Sequence, residues 1–234
     1  MRVCPKCQRN DLIKNGSAAG KPEMQCKRCG YQFTHTTPRS KSLRTKVSAL
    51  LWYLSGISMN RIGTLLWISA QAVLNWIRTF TREHYEKPEP TGKAIILQLD
   101  KMWQYVKNKR HKLWIWKALD EATGQLLDWE CGHRDKAPLQ KLVDLRLAQR
   151  DVRFYHTDRW GTYASVLPQD KLMQSKAGTH RIERNHCRQR HWFGRFKRKS
   201  IIVSKSKEMV DLTTALFAKF WVNGNQKELI SLLD

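Results

Sequence analysis

From residue 43 onward the apolar positions fall first into a helical rhythm and then into strands. Val47, Leu50, Leu51 and Leu54 recur at helical spacing. Ser55-Gly56-Ile57-Ser58 reads as a stop followed by a new N-cap, and Ile62, Leu65 and Leu66 mark a second short helix. Ser69 can cap a third, with Val73, Leu74 and Ile77 inward and Gln71, Asn75 and Arg78 outward. A short helix, a tight turn and a polar-faced helix over 43–82 describe a helix-turn-helix, in which the later helix enters the major groove of DNA. The other reading of the same pattern is a plain three-helix packing unit. Residues 83–93, EHYEKPEPTGK, carry two prolines, a glycine and mixed charge, which marks a domain boundary.

Beyond it the rhythm changes to β. AIILQLD (94–100) is an apolar run ending in an acid, LWIWKAL (113–119) and LLDWEC (126–131) are two further strands, and the Asp120–Gly124 segment between them is a turn sequence. Leu139, Leu142, Val143 and Leu145 give a helix over 136–149, and VRFYHTD (152–158) is a fourth strand that again ends in an acid. A short helical piece from Gly161, a fifth strand near 172–175, a basic helix from His180 to about Phe196 and an apolar helix over 209–222 complete the pattern. That order predicts an α/β domain of mixed α+β type over 93–234, a mixed sheet covered by helices.

The first 36 residues are organised by chemistry. Cys4 and Cys7, then Cys26 and Cys29, form two Cys-x-x-Cys pairs separated by a polar, glycine-containing loop. Four thiolates at this spacing suit tetrahedral zinc in a closed structural site, hence a zinc ribbon over 1–36. Redox pairs or disulfides are the alternatives, and two evenly built pairs without a secretion signal favour zinc. Residues 37–42 read as a polar hinge. Cys131 and Cys187 read as ordinary free thiols.

Charge narrows the partner. The 234 residues hold 43 Lys and Arg against 20 Asp and Glu, a net of +23. Such an excess predicts an anionic partner, with nucleic acid (double-stranded DNA on the helix-turn-helix reading) ahead of a membrane surface because no long apolar run or targeting sequence is present. A cytoplasmic, nucleoid-associated location is expected. The excess peaks between 176 and 207. There, Arg181, Arg184, Arg188, Arg190, Arg195, Lys197, Arg198 and Lys199 surround a single carboxylate, Glu183. No Lys or Arg stands three or four residues from Glu183, so an intrahelical ion pair does not explain it. A favourable place at the positive end of a helix does. So does a metal.

Asp100 and Asp158 end two predicted strands, where ligands of open α/β sheets gather. With Glu183 they make three carboxylates without thiolate or imidazole, a donor set for Mg²⁺ or Mn²⁺. Such ions can activate an attacking oxygen and stabilise a leaving one in phosphodiester chemistry. The basic residues then follow phosphates while the one acid holds metal. The bland alternative makes Asp100 and Asp158 strand-end turn residues. Asp120 is expected as a hairpin residue, and Asp128, Glu130 and Asp135 as a solvated hairpin edge. His133 and His156 have no partner at metal spacing. Trp103 and Trp160 lie close to the acids and can stack on a base or pack in the core.

CPKC…CKRCG, the 43–82 helices, LDKMW (99–103), YHTDRWGTY (155–163), HRIERN (180–185) and RFKRKS…SKSKEM (195–209) occur in the order found in one family. With them the chain resembles the insertion-sequence-one family of bacterial DDE transposases over nearly its whole length. The resemblance implies an RNase H-like catalytic domain, a triad of Asp100, Asp158 and Glu183, and recognition of terminal inverted repeats by the N-terminal modules. It further implies Mg²⁺-dependent strand cleavage and strand transfer by a homo-oligomer, at least a dimer. Lys101 stands where compared members often carry a second acid. His186 stands three residues after Glu183, where Asn is frequent. Two other functions fit the same residues: a catalytically inactive zinc-ribbon and helix-turn-helix regulator, and a nuclease or junction resolvase.

Overall fold

The computed structural model describes residues 3–18, 20–34, 41–89, 91–224 and 226–231. The chain divides into two compact units, Met1–Ser42 and Leu43–Asp234. The expected hinge at 37–42 lies mostly outside the described residues.

In the first unit β1 (Leu12–Ala18), β2 (Lys21–Cys26) and β3 (Gln32–Thr34) form an antiparallel sheet in that order. Each cysteine pair sits on a turn of the same shape. Gln8 N–H donates to Cys4 C=O and Gly30 N–H to Cys26 C=O, both at 2.9 Å. The residue after each second cysteine, Gln8 or Gly30, takes a left-handed φ of 60° or 68°. That conformation costs Gly nothing and Gln a little.

The second unit begins with α1 (Leu43–Leu54), α2 (Met59–Leu66) and α3 (Ala70–His84). The expected caps form. The Ser58 hydroxyl accepts from Arg61 N–H at 3.2 Å and Ser69 from Ala72 N–H at 3.1 Å, each worth about 1 kcal/mol. Next come β4 (Gly92–Val106), β5 (Asn108–Asp120), β6 (Leu126–Gly132), α4 (Lys136–Leu142), β7 (Arg150–Thr157) and β8 (Leu172–Gln174). Then follow α5 (His180–Trp192), α6 (Lys207–Phe217) and α7 (Gln226–Ser231). The helices α4 and α6 each widen into a π turn, Val143–Leu147 and Ala218–Val222. The sheet order is β6-β5-β4-β7-β8, with β4, β5 and β6 antiparallel and β7 and β8 parallel to β4. No helix among the described residues is long and apolar enough to cross a membrane.

Each face of the sheet has its own core. Leu97, Leu99, Trp116, Ala118 and Val152 pack with Leu139 and Leu142 of α4 and with Tyr163. Met102, Ile115 and Cys131 pack with Phe193, Val210, Leu216 and Phe217. That second core continues into Val47, Leu50, Tyr53, Val73 and Ile77. Residues 43–82 and 93–234, expected as two domains, fall within one compact unit. The inward faces of α1 and α3 are covered by α6, the Tyr53 hydroxyl meets Thr213 Oγ1 at 2.7 Å, and Arg78 and Arg82 both pair with Glu208.

Four local expectations also change. β4 does not stop at Asp100 but runs on to Val106, because KMWQYV keeps alternating and stays paired with β5. The piece from Gly161 is a series of turns. Asp128 is 1% exposed rather than solvated, because Lys87 Nζ approaches it at 2.6 Å and the Arg146 guanidinium closes on its other oxygen. Glu130 pairs with Lys141 at 3.1 Å. Asp120 behaves as a hairpin residue should, accepting from Ala122 N–H, Thr123 N–H and the Thr123 hydroxyl.

Candidate active site

The last parallel pair between β4 and β7 is Leu99 with Thr157. Asp100 and Asp158 are the next residue on each strand. They stand side by side where β7 ends and β4 continues with β5 alone. Asp100 is therefore a mid-strand residue at the C-terminal limit of the parallel half of the sheet, which is where the chemistry of such sheets collects. Asp158 turns back on itself, one oxygen accepting from Trp160 N–H at 3.1 Å, while Gln174 of β8 donates to its carbonyl at 3.0 Å.

The third acid arrives on α5. Two buried polar side chains of the sheet fix that helix. Gln98, two residues before Asp100, accepts from Ile182 N–H at 2.9 Å. Lys117, the cross-strand partner of Asp100, is wholly buried and donates to Asn185 Oδ1 at 2.7 Å and Gln189 Oε1 at 2.5 Å. Burial, reinforced by Arg190, holds the Lys117 ammonium well below the usual lysine range. Glu183 lies in the first turn of α5 and accepts from the Thr179 hydroxyl at 3.2 Å.

The three acids share one field. Burial pushes Asp100 up to about 6; its own chain's Lys101 N–H and ammonium oppose the rise, and Asp158 and Glu183 add to it. Lys101 Nζ lies 2.5 Å from Asp158 Oδ2 and 3.9 Å from Asp100 Oδ1. Among the described residues the group whose ligand atoms lie close enough to share a metal is the four cysteines. The acids are not drawn together to that degree, and an ammonium bridges two of them. A cation in that position, facing an all-oxygen donor set, is the environment a hard divalent ion requires. His186 Nδ1 sits 3.5 Å from Asp100 Oδ2, and burial keeps this imidazole well below its usual range, hence neutral.

The sulfurs of Cys4 and Cys29, and of Cys7 and Cys26, are each 3.6 Å apart, and all four lie within 4.8 Å of one another. Tetrahedral zinc with bonds of about 2.3 Å spaces its sulfurs by about 3.8 Å, so the cage has the right size. The Cys29 N–H draws Cys26 down to about 7. Despite the Arg9 N–H, burial and three neighbouring sulfurs push Cys7 up to about 12. A cation among the sulfurs reverses that crowding.

The expected DNA contacts divide. Gln71 and Asn75 are exposed on α3 and bonded to each other at 2.9 Å, whereas Arg78 is held by Glu208 at 3.1 Å. Arg184, Lys197, Arg198 and Lys199 are exposed. Arg181 donates to Glu121 C=O, Arg188 to Trp221 C=O and Arg190 to Trp103 C=O, and Arg195 lies over Tyr53. Gln98 and Lys117 were missed from sequence. Their signal is a polar residue inside an apolar strand, on the face that carries Asp100.

The chain is a mixed α/β protein with a five-stranded sheet, two acids at the parallel limit of that sheet and a third acid on the following helix. The sequence profile of the IS1 transposases matches residues 94–221, and the chain belongs to that family. The InsB protein of insertion element iso-IS1n of Shigella dysenteriae is 33% identical over 124 residues, which cover 53% of this chain and 94% of that protein. The IS1 InsB protein of Shigella sonnei is 34% identical over 117 residues, covering 50% and 88%. Among solved structures, a simian T-cell lymphotropic virus intasome in complex with a PP2A regulatory subunit aligns over 73% of this chain and 67% of that one. Identity there is 14% and the TM-score 0.38, too low to bear on fold or mechanism.

Proposed function

We propose that this chain is a DDE transposase that binds the terminal inverted repeats of its insertion sequence and carries out metal-dependent strand cleavage and strand transfer. The observation that supports the reading is the placement of Asp100 and Asp158 directly after the last parallel pair of β4 and β7, with Glu183 in the first turn of the helix that Gln98 and Lys117 hold against the sheet. The strand order supports an RNase H-like domain, and the capped α2–α3 pair supports a helix-turn-helix.

Asp100, Asp158 and Glu183 would hold Mg²⁺ or Mn²⁺, which supplies activation of the attacking oxygen and stabilisation of the leaving one. The chain's own residues do the rest. Gln98 and Lys117 hold the first turns of α5 against β4 and β5, so Glu183 is presented by a fixed helix. Thr179 orients its carboxylate. Neutral His186 backs Asp100 without adding charge. Exposed Arg184, Lys197, Arg198 and Lys199 supply phosphate contacts, which position the strand without reading it. Water attacks a phosphodiester at the element's end; a new P–O bond forms, the bond to the 3′-oxygen breaks, one of the water's protons goes to that oxygen and the other passes to solvent. The freed 3′-hydroxyl then attacks target DNA in the same way, with no covalent protein intermediate. Cys4, Cys7, Cys26 and Cys29 would hold structural Zn²⁺. Work on paired ends calls for a homo-oligomer, at least a dimer, at the nucleoid in the cytoplasm.

The test is Mg²⁺-dependent cleavage and joining of DNA carrying the ends that flank the gene, comparing wild type with Glu183→Gln. Wild type cuts and joins, and the variant binds the same ends while activity falls by more than about a hundredfold. Wild-type binding without reaction, in Mn²⁺ as well as Mg²⁺, would instead establish an inactive DNA-binding regulator. A strong preference for branched DNA over the ends would indicate a resolvase.

A further inference from the structure

The part of β4 beyond Asp100 carries a feature that strand cleavage alone does not use. Trp103 faces Trp114 across β4 and β5, and Tyr105 faces Lys112, so these side chains share one face of the sheet. Their rings and the surrounding cations form an alternating row. Lys112 and Arg198 each lie over Trp103 at 5.0 Å. Trp114 follows at 6.4 Å from Trp103, with Arg134 over it at 5.0 Å. Arg134 also reaches Trp160 at 5.6 Å, and Trp160 holds Lys101 at 4.9 Å. The row therefore ends at the ammonium that bridges Asp158 and Asp100. The three tryptophans are half-buried, while Lys112, Arg134 and Arg198 are exposed.

We infer that this row is a stacking track for a short unpaired stretch of DNA leading into the acids, a reading that rests on the proposed function and names the form its substrate takes. Aromatic faces bind bases only where the bases are unpaired, since a duplex keeps its base faces stacked inside. Cations set against the same rings suit the phosphates that come with those bases. A base taking a ring face displaces Lys112, Arg198 or Arg134 outward, toward the backbone it would neutralise. Trp160 lies next to the acids in the chain, and its backbone N–H donates to Asp158 Oδ1 at 3.1 Å. Three features together set this row apart from ordinary core rim: exposed cations on the rings, a strand extended past its parallel partner, and a terminus at Lys101, whose ammonium pairs with Asp158.

The experiment is fluorescence anisotropy with the full chain and no added divalent metal. The probes are a labelled 20-base-pair duplex, blunt or carrying a five-nucleotide oligo-dT tail. Wild type binds the tailed probe about tenfold or more tightly than the blunt one, and that ratio persists as salt rises while both affinities fall. Trp103→Leu removes the ratio and leaves blunt-duplex affinity unchanged, and Trp103→Phe restores part of it. Should Trp103→Leu fold poorly, the exposed pair Lys112→Gln with Arg134→Gln reports on the same ratio. Equal affinity of wild type for both probes, or variants that weaken both probes alike, would overturn the track and leave the rings as packing at the core rim. Cleavage of the flanking ends together with equal affinity for both probes would reject the track alone. A tail preference without cleavage would reject the enzyme alone.

Discussion

The chain holds two candidate metal centres, and they are built on opposite principles. The four cysteines close on one another, with all sulfurs within 4.8 Å, on two turns of the same backbone shape. The three carboxylates come from a strand, a strand end and a helix far apart in sequence, with the Lys101 ammonium between two of them. A closed soft-donor cage can contribute folding energy and little else. An open oxygen site contributes little to folding and can take part in a reaction. The folding of the first unit should therefore hang on its metal, and that of the second should not.

The largest effect that would break this contrast is at the cysteines. Cys26→Ser, or zinc chelation, should remove folding free energy on the order of 10 kcal/mol from residues 1–42. Limited proteolysis should then cut within that segment while 43–231 stays resistant. Loss of resistance throughout the chain would mean that the two centres are not energetically separate.

Next in size is the pH dependence of Asp100. Its folded pKa is raised to about 6, so this group adds stability below its unfolded pKa, and that contribution is lost as pH rises through about 6. Without added divalent metal, Asp100→Asn and wild type should unfold at similar urea concentrations near pH 4. By pH 7 the variant should be more stable by about 2–3 kcal/mol. A pH-independent difference would show that burial does not govern this acid.

Lys101→Met sharpens the same point with a smaller effect. Removing the ammonium leaves Asp100 and Asp158 unbalanced and should destabilise the metal-free protein by about 1–2 kcal/mol, reduced because Asp158 is partly exposed. Millimolar Mg²⁺ should recover that loss and raise the melting temperature more than it does in wild type. No difference in the Mg²⁺ response would mean that the lysine and the ion do not share a place. Smallest of all, Cys187 should react with a thiol reagent at pH 8 in the folded protein. Cys131, buried and pushed well above the usual thiol range, should not. Mass mapping of the label distinguishes them.

The legibility of the two centres differed for the same reason that their construction does. The cysteine cage is local: spacing within two short turns sets it, so sequence reaches it directly. The carboxylates are brought together by a parallel register and a helix placement, neither of which spacing contains. Strand-end acids pointed to Asp100 and Asp158, yet Asp100 proved to be mid-strand, because what ends there is the neighbour β7. Asp128 escaped because its neutralising partners, Lys87 and Arg146, come from segments 41 and 18 residues away. The caps at Ser58 and Ser69 were readable because a cap involves only the next three residues. The joining of α1–α3 to the sheet was not, since an apolar helix face does not say which surface covers it.

That shared core has a mechanical consequence. A reading helix on a flexible tether would let the cutting site wander along the DNA. Here α3 is clamped to α6 by Glu208 and by a continuous apolar interior, and the same interior reaches the strands that carry Asp100. The span from α3 to the acids is thus a fixed length of folded protein. Under the proposed function, with α3 on a terminal repeat, the molecule would work as a caliper, and its own dimensions would set the number of base pairs between the sequence gripped and the bond broken.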